Sequence, residues 1–505
     1  MHLIKTFRSL SLAIILGAIA PIALMAQQNV PVKATIDATK KMQVMESFGA
    51  SDAWTCQYAG LWPAAQKNKM ADLLFSKATD KNGNPLGIGL DFWRFSIGGG
   101  STEQGKESGI KDEWRRQMSF LKKDGSYDEE GMKGQMWFLN AAKNRGVKYF
   151  LGFVNSPHIN FTLNGKAFSS DGKCNLDFAK SEAFCADLVN NIKIIKKQTG
   201  IELNYLSPVN EPQWKWNDGG QEGCPYDNAQ ITQLVKTLNT SLQQANLTTK
   251  IQVGDAGQLD FLTNNSDRNK SKQIYDFFNP VSPKYIGNLS NVDHSISGHS
   301  YFTTSPEDRA IKMRKTLADS ISKTKDLRFW MSEYCVLGDA TLKGEGRDLG
   351  MTTALFIAKL IHHDLTYANA TSWQWWLAVS TGNYKDGLVY IDKSKTDGKV
   401  YDSKLLWAFG NYSRFIPEGS QRLATTLSNA DGIYLSTYVA NNKVITVIVN
   451  TRKENAAIKL EGVKLKENVQ LYTTSATQNL APSSAKLNHL SLPAESVTTV
   501  IAMKK

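Results

Sequence analysis

Leu206-Ser207-Pro208-Val209-Asn210-Glu211-Pro212 and Phe329-Trp330-Met331-Ser332-Glu333-Tyr334 are two short apolar runs that each deliver a glutamate at the end. A buried strand has no packing reason to hold a carboxylate, so each glutamate is placed where a strand gives way to a loop. Six further runs of this kind lie at 47–51, 90–97, 149–155, 251–255, 296–301 and 371–376, which with 205–210 and 329–333 makes eight. Segments with apolar residues at helical spacing fall between several of them, at 132–144, 180–197, 228–245, 305–324 and 352–365. Strands alternating with helices build a parallel sheet, and eight such units predict a (β/α)8 TIM barrel with long loops. An open doubly wound sheet, the alternative, gives no reason for eight units.

After a last helix at 405–415 the pattern changes to short alternating strands at 434–438, 444–449, 457–460, 469–473 and 497–502, with turn residues such as Asn441-Asn442 between them. Residues 32–44 alternate in the same way, so an all-β side domain, a β-sandwich, is expected from both ends of the mature chain. The predicted organisation is a signal peptide at 1–26, an N-terminal strand segment at 27–44 joining the side domain, the barrel at 45–415 and the C-terminal β-sandwich at 416–505. The signal peptide is read from Lys5 and Arg8, the apolar run 10–25 and Ala26 before Gln27. That run is too short for a membrane span of roughly 20 residues. A secreted or periplasmic protein with no stable membrane insertion is therefore expected.

With 505 residues, 41% hydrophobic and 21% charged, the chain has a globular composition, and disorder, collagen and a disulfide miniprotein are excluded. The net charge of +12 is spread without a basic arm, so no nucleic acid partner is indicated. Aromatic residues at 10% suit a protein that offers flat apolar faces to a ligand such as a sugar. Five cysteines, Cys56, Cys174, Cys185, Cys224 and Cys335, leave at least one unpaired, and Cys174 with Cys185 is the first candidate bridge by proximity. No C-x-x-C or H-E-x-x-H spacing occurs, so neither a metal nor any other cofactor is expected. Gly98-Gly99-Gly100 lacks the context of a phosphate loop and reads as a tight turn after a strand.

Two carboxyls on opposing strands of one barrel are what glycosidic bond cleavage requires, one to protonate the leaving oxygen and one to attack the anomeric carbon or activate water. Asn210-Glu211-Pro212 and Ser332-Glu333-Tyr334 resemble the acid/base and nucleophile motifs of the retaining glycosidases of clan A. Ser47-Phe48-Gly49-Ala50-Ser51-Asp52, Phe92-Trp93-Arg94-Phe95-Ser96 and Ser156-Pro157 narrow the resemblance to glycoside hydrolase family 30. That resemblance implies Glu211 as general acid/base, Glu333 as nucleophile, Asn210 bonding the sugar 2-hydroxyl and Tyr301 bonding the nucleophile. Arg94, arriving from the second strand, could hold the nucleophile ionised. Asp52, Trp54, His158, Trp214 and Trp375 are the further expected substrate contacts. His158 stands where the family often has tryptophan. Strand alternation points Trp373 and Trp375 the same way and Trp376 the other.

The loop Gln213-Trp214-Lys215-Trp216-Asn217-Asp218-Gly219-Gly220-Gln221-Glu222-Gly223-Cys224 looks like that of the endo-β-1,6-galactanase subfamily, which cuts side chains of arabinogalactan, and makes Glu222 a candidate contact. Glucuronoxylanase, β-1,6-glucanase and glucosylceramidase activities share the scaffold and stay open, as does a non-catalytic carbohydrate-binding protein. A polysaccharide or oligosaccharide is the expected partner, and a monomer is the default.

Overall fold

The computed structural model describes residues 30–338 and 341–505, so the expected signal peptide lies outside the described residues. Strand β1 (Val32–Val44) precedes eight strands that close on themselves: β2 (Ser47–Ser51), β3 (Phe92–Ile97), β4 (Tyr149–Val154), β5 (Tyr205–Ser207), β6 (Lys250–Ala256), β7 (Val292–His299), β8 (Arg328–Glu333) and β9 (Ser372–Trp375). All neighbours are parallel, and β2 closes the barrel on β9 with Ser47 opposite Ser372 and Ala50 opposite Trp375. The expected strand at 205–210 stops at Ser207 because Pro208 has no N–H to donate to a ladder. This early stop frees 208–212 to turn over the barrel mouth.

The helices Lys133–Asn144, Ser181–Thr199, Asn228–Gln244, Glu307–Ser322, Met351–Tyr367 and Lys404–Ser413 lie within two residues of their expected positions. Asn228–Gln244 starts sharply because Asp227 accepts from the Gln230 N–H while Gln230 accepts from the Asp227 N–H, a reciprocal cap. Met351–Tyr367 is buried along most of its length because it is covered by the barrel on one side and by the β-domain on the other.

A small sheet follows the last barrel strand, formed by β10 (Val379–Ser380), β11 (Val389–Ile391) and β12 (Val400–Asp402). The β-domain holds β13 (Gln421–Ser428), β14 (Ile433–Ala440), β15 (Lys443–Asn450), β16 (Ala456–Glu461), β17 (Asn468–Thr474), β18 (Ala481–Lys486), β19 (Leu490–Leu492) and β20 (Ser496–Met503), joined by β1. They form one hydrogen-bonded sheet in the order β18-β17-β20-β15-β14-β13-β1-β16-β19. Ile458 and Leu490 near one end share a core with Val469 and Leu471 near the other, so the sheet folds over on itself. Three of these strands were not expected: β13, the three-residue β19, and β18, whose Ala-Pro-Ser-Ser-Ala-Lys is exposed along most of its length and carries no apolar alternation.

The expected bridge between Cys174 and Cys185 is not formed, and all five cysteines are free thiols. Cys174 Sγ lies 4.0 Å from Cys224 Sγ, while Cys185 is buried in the helix Ser181–Thr199. Folding brings the loop after β5 onto the loop after β4, and sequence distance does not register that approach.

β1 pairs antiparallel with β13 and parallel with β16, and it buries Val32, Ala34 and Ile36 in the β-domain core. Truncating Ile36 leaves a cavity at this seam, so Ile36→Ala is expected to cost about 2–4 kcal/mol, read from urea unfolding of the β-domain. An unchanged midpoint would show that β1 is an ornament of the sheet and not part of its core.

Candidate active site

Arg94 projects from β3 into the barrel and is completely buried. A buried guanidinium is tolerated only when opposite charge and good acceptors surround it. Here Nη1 donates to Glu333 Oε2 at 2.5 Å and Ser51 Oγ at 3.2 Å, and Nη2 to Asn210 Oδ1 at 2.8 Å and Asp255 Oδ2 at 3.2 Å. Its flat face lies 3.8 Å from the Phe153 ring centroid on β4. Asp255, near the end of β6, also accepts from Ser207 Oγ and Ser332 Oγ, each at 2.6 Å. Burial alone would push the Asp255 carboxyl up, but the charges of Arg94 and His299 and the Ser207 hydroxyl hold it well below the usual carboxylate range.

Glu211 faces Glu333 across the mouth. Its backbone is in the left-handed region at φ 44° and is fixed there by its N–H, which donates to the Asp255 carbonyl at 2.8 Å, and by its carbonyl, which accepts from Trp216 Nε1 at 3.0 Å. His299, ending β7, places Nδ1 2.8 Å from Glu211 Oε1 and 3.7 Å from Glu333 Oε1, with Nε2 3.5 Å from Asp255 Oδ1. Tyr301 Oη donates to Glu333 Oε1 at 3.0 Å. Burial raises the Glu211 carboxyl more than the hydrogen bond and charge of His299 lower it. His299 runs the other way: burial disfavours its charge, but Glu333, Asp255 and Glu211 together lift it to about 10.

Glu211, His299 and Glu333 each offer one atom within 4.8 Å of the others, which is close enough to hold a metal ion. A protonated His299 has no lone pair to give, so the donor set suits an ion network better than a metal. Chemically the arrangement offers a carboxyl inclined to keep its proton and, opposite, a carboxylate paired with a fixed cation.

Above these groups opens a cavity of about 460 Å³, lined by Asn210, Glu211, Tyr301 and Glu333, with Trp54, Trp214 and Trp376 among its aromatic walls. The structure brings Glu211, Glu333, Asn210, Tyr301, Trp54 and Trp214 to this cavity, and Arg94 supports it from beneath. Among the described residues, Asp52, His158, Glu222 and Trp375 stand behind the wall, which corrects their expected place in contact with ligand. Asp52 accepts from the Ser96 N–H at 2.7 Å. Glu222 accepts from the N–H groups of Gly99 at 2.7 Å and Ser101 at 3.1 Å, bracing the turn at Gly98–Gly100. His158 packs under that turn, and burial pulls its imidazole down to about 4. Trp375 stacks on Trp373, which packs on Phe409 of the helix Lys404–Ser413, so the 373/375 side of β9 faces the helices. Trp376, on the other phase, reaches the cavity.

Sequence reading assigned no role to Asp255 or His299. Both carry the signal that singled out Glu211, a charged or titratable residue at a strand end. Arg115, Phe302, Tyr384 and Asp386 also line the cavity, from loops with no comparable pattern.

The profile of O-Glycosyl hydrolase family 30 matches residues 31–390. The endo-beta-1,6-galactanase of Hypocrea rufa is 24% identical over 438 residues, 82% of this chain and 80% of that protein. Among solved structures, a conserved exported protein from Bacteroides fragilis is 32% identical with a TM-score of 0.86, covering 93% of this chain and 99% of that one. The catalytic domain of GH30 xylanase C from Talaromyces cellulolyticus, 20% identical with a TM-score of 0.70 over 94% of this chain and 100% of that one, shares the fold.

Burial lifts the Asp52 carboxyl to about 8 against the pull of the Ser96 N–H, and Asp52 Oδ2 has no hydrogen-bond partner among the described residues. A carboxyl whose folded value lies above its unfolded one stabilises below the unfolded value, and that contribution is lost as pH rises through the folded one. The melting temperature should therefore fall between about pH 4 and about pH 8, and Asp52→Asn, which cannot ionise, should fall less over that range. Parallel profiles for the two proteins would show that Asp52 is not the source of the slope.

Proposed function

This chain belongs to O-glycosyl hydrolase family 30, and from that premise we propose that it is an exported retaining endo-glycosidase that hydrolyses β-1,6-linked galactan side chains. The observation that carries the mechanism is the approach of Glu211 and Glu333, whose nearest ligand atoms lie within 4.8 Å. Retaining enzymes hold their carboxyls about 5–5.5 Å apart, whereas inverting ones need about 6.5–9.5 Å to admit a water.

In this reading Glu211 protonates the glycosidic oxygen while Glu333 attacks the anomeric carbon, forming a covalent glycosyl-enzyme. Glu211, now deprotonated, takes a proton from water, which attacks the same carbon and releases Glu333. Burial favours the protonated Glu211 needed in the first step. Arg94 and Tyr301 both hydrogen-bond Glu333 and fix the direction of its attack. Asn210, held by Arg94, meets the 2-hydroxyl of the sugar being transferred.

The choice of galactan is supported by the loop 213–224 and by the similarity to the Hypocrea rufa enzyme over most of both chains. That loop places Trp214 and Trp216 on the cavity wall beside Glu211. Export rests on residues 1–26, and mass spectrometry of the exported protein should give a chain that begins at Gln27.

De-arabinosylated arabinogalactan, glucuronoxylan and β-1,6-glucan, each incubated with the protein and its products sized, test the reading. A ladder of β-1,6-galacto-oligosaccharides is expected from the parent and none from Glu333→Gln. Cleavage of another polymer alone would overturn the galactan assignment and leave the mechanism. Glu211→Gln should lower kcat/KM by about 10²–10⁴-fold, the usual contribution of a general acid. A ladder from Glu333→Gln at the parent rate would remove Glu333 from the nucleophile role.

A further inference from the structure

Asp386 lies in the loop between β10 and β11 and lines the cavity with Trp54, Arg115, Trp376 and Tyr384. Its main chain is fixed, since the carbonyl accepts from Trp375 Nε1 at 2.7 Å and also from the Leu377 N–H. Ser380 meets the Asp386 carboxyl, yet its side chain is not fully satisfied: among the described residues Oδ1 has no hydrogen-bond partner, and Trp54 Nε1 on the same wall has none either. Folded proteins pair nearly all shielded polar atoms, so two left unpaired on one cavity wall are available to a bound molecule. Asp386 as a whole stays partly exposed at the cavity, and its last torsion is soft, so a small rotation presents Oδ1 to a ligand. Arg115 does not consume it. Its guanidinium lies 4.7 Å from the Trp54 ring centroid and makes no hydrogen bond or ion pair among the described residues.

The position of this wall gives it a direction. Trp54 follows β2 while Trp376 and Asp386 follow β9, and these strands are neighbours. Glu211, Trp214 and Trp216 follow β5, on the far side of the barrel. The acid/base stands beside the leaving oxygen, so the wall across from it faces the sugar that is retained. With Asn210 at C2 of that sugar, the opposite wall meets the ring edge at C4.

We propose that Asp386 is a specificity-determining residue that accepts a hydrogen bond from the C4 hydroxyl of the retained sugar, with Trp54 Nε1 donating at the same edge. This rests on the roles given above to Glu211 and Asn210. C4 is the centre at which galactose and glucose differ, one hydroxyl being axial and the other equatorial. An acceptor on that anchored main chain discriminates between the two epimers, because the wrong one leaves a shielded polar atom unpaired.

The test measures kcat/KM on β-1,6-galactotetraose and β-1,6-glucotetraose for the parent, Asp386→Asn and Asp386→Ala, with melting temperatures alongside. Tryptophan-fluorescence titration of both tetrasaccharides into Glu333→Gln and its Asp386→Ala double variant reads binding without hydrolysis. Asp386→Ala should lose about 10- to 100-fold on the favoured epimer, the scale of a hydrogen bond to a charged group, and should bring the ratio of the two substrates toward one. Asp386→Asn, which keeps an oxygen acceptor, should lose less. An equal loss on both substrates, with the ratio unchanged, would make Asp386 a purely structural brace and overturn the proposal, as would no loss at all. If the parent cleaves neither tetrasaccharide, the proposed function fails separately. Asp386 then stands or falls on whether its removal changes the relative binding of the two epimers. Binding of neither overturns it.

Discussion

The site is built around one buried cation. Arg94 brings a full positive charge into the barrel, where the loss of hydration would be prohibitive unless opposite charge and good acceptors surround it. It therefore ties together the ends of strands that are far apart in sequence: β2 through Ser51, β6 through Asp255, β8 through Glu333, and the turn after β5 through Asn210. Each bond fixes a side chain at the mouth to within the tolerance of a hydrogen bond. Phe153 closes the remaining face of the guanidinium and excludes water from it.

His299 completes the arrangement. With Arg94 and His299 both charged, two positive groups face the carboxylates of Glu333 and Asp255, and the cluster is balanced when Glu211 carries its proton. Removing that proton adds a negative charge to a dry, already balanced cluster. This explains why burial and the nearby Glu333 raise Glu211 although a cationic histidine touches it. The same network thus inclines one carboxyl to keep its proton and pairs another with a buried cation across a gap of a few ångströms, by giving them different neighbours.

The fold was legible in the sequence because its two periodicities are strong. Apolar runs buried on both faces mark β2 to β9, and 3.6-residue spacing marks six of the long helices to within two residues, though not the helix Ala64–Phe75. Legibility failed where that signal is absent. β18 is exposed and polar, and β5 is cut short by a proline that ends the ladder without ending the apolar run. Glu211 and Glu333 were readable as charges with no packing reason to sit at strand ends. Asp255 and His299 satisfy the same criterion, yet their role is to hold other side chains, and that depends on residues that separate strands bring together, far apart in the sequence.

The sequence by itself determined the barrel, the contribution of β1 to the β-domain and the two glutamates at the mouth, because these follow from local patterns of burial and charge. Only the tertiary structure decided which side chains face the cavity. Trp376 and not Trp375 reaches it because β9 turns its other phase toward the helices, and Glu222 is withdrawn from it by the N–H groups of Gly99 and Ser101. Asp386, Arg115 and Phe302 enter from loops whose course is set by closure of the barrel and by packing between distant segments. Those contacts leave no periodic trace along the chain.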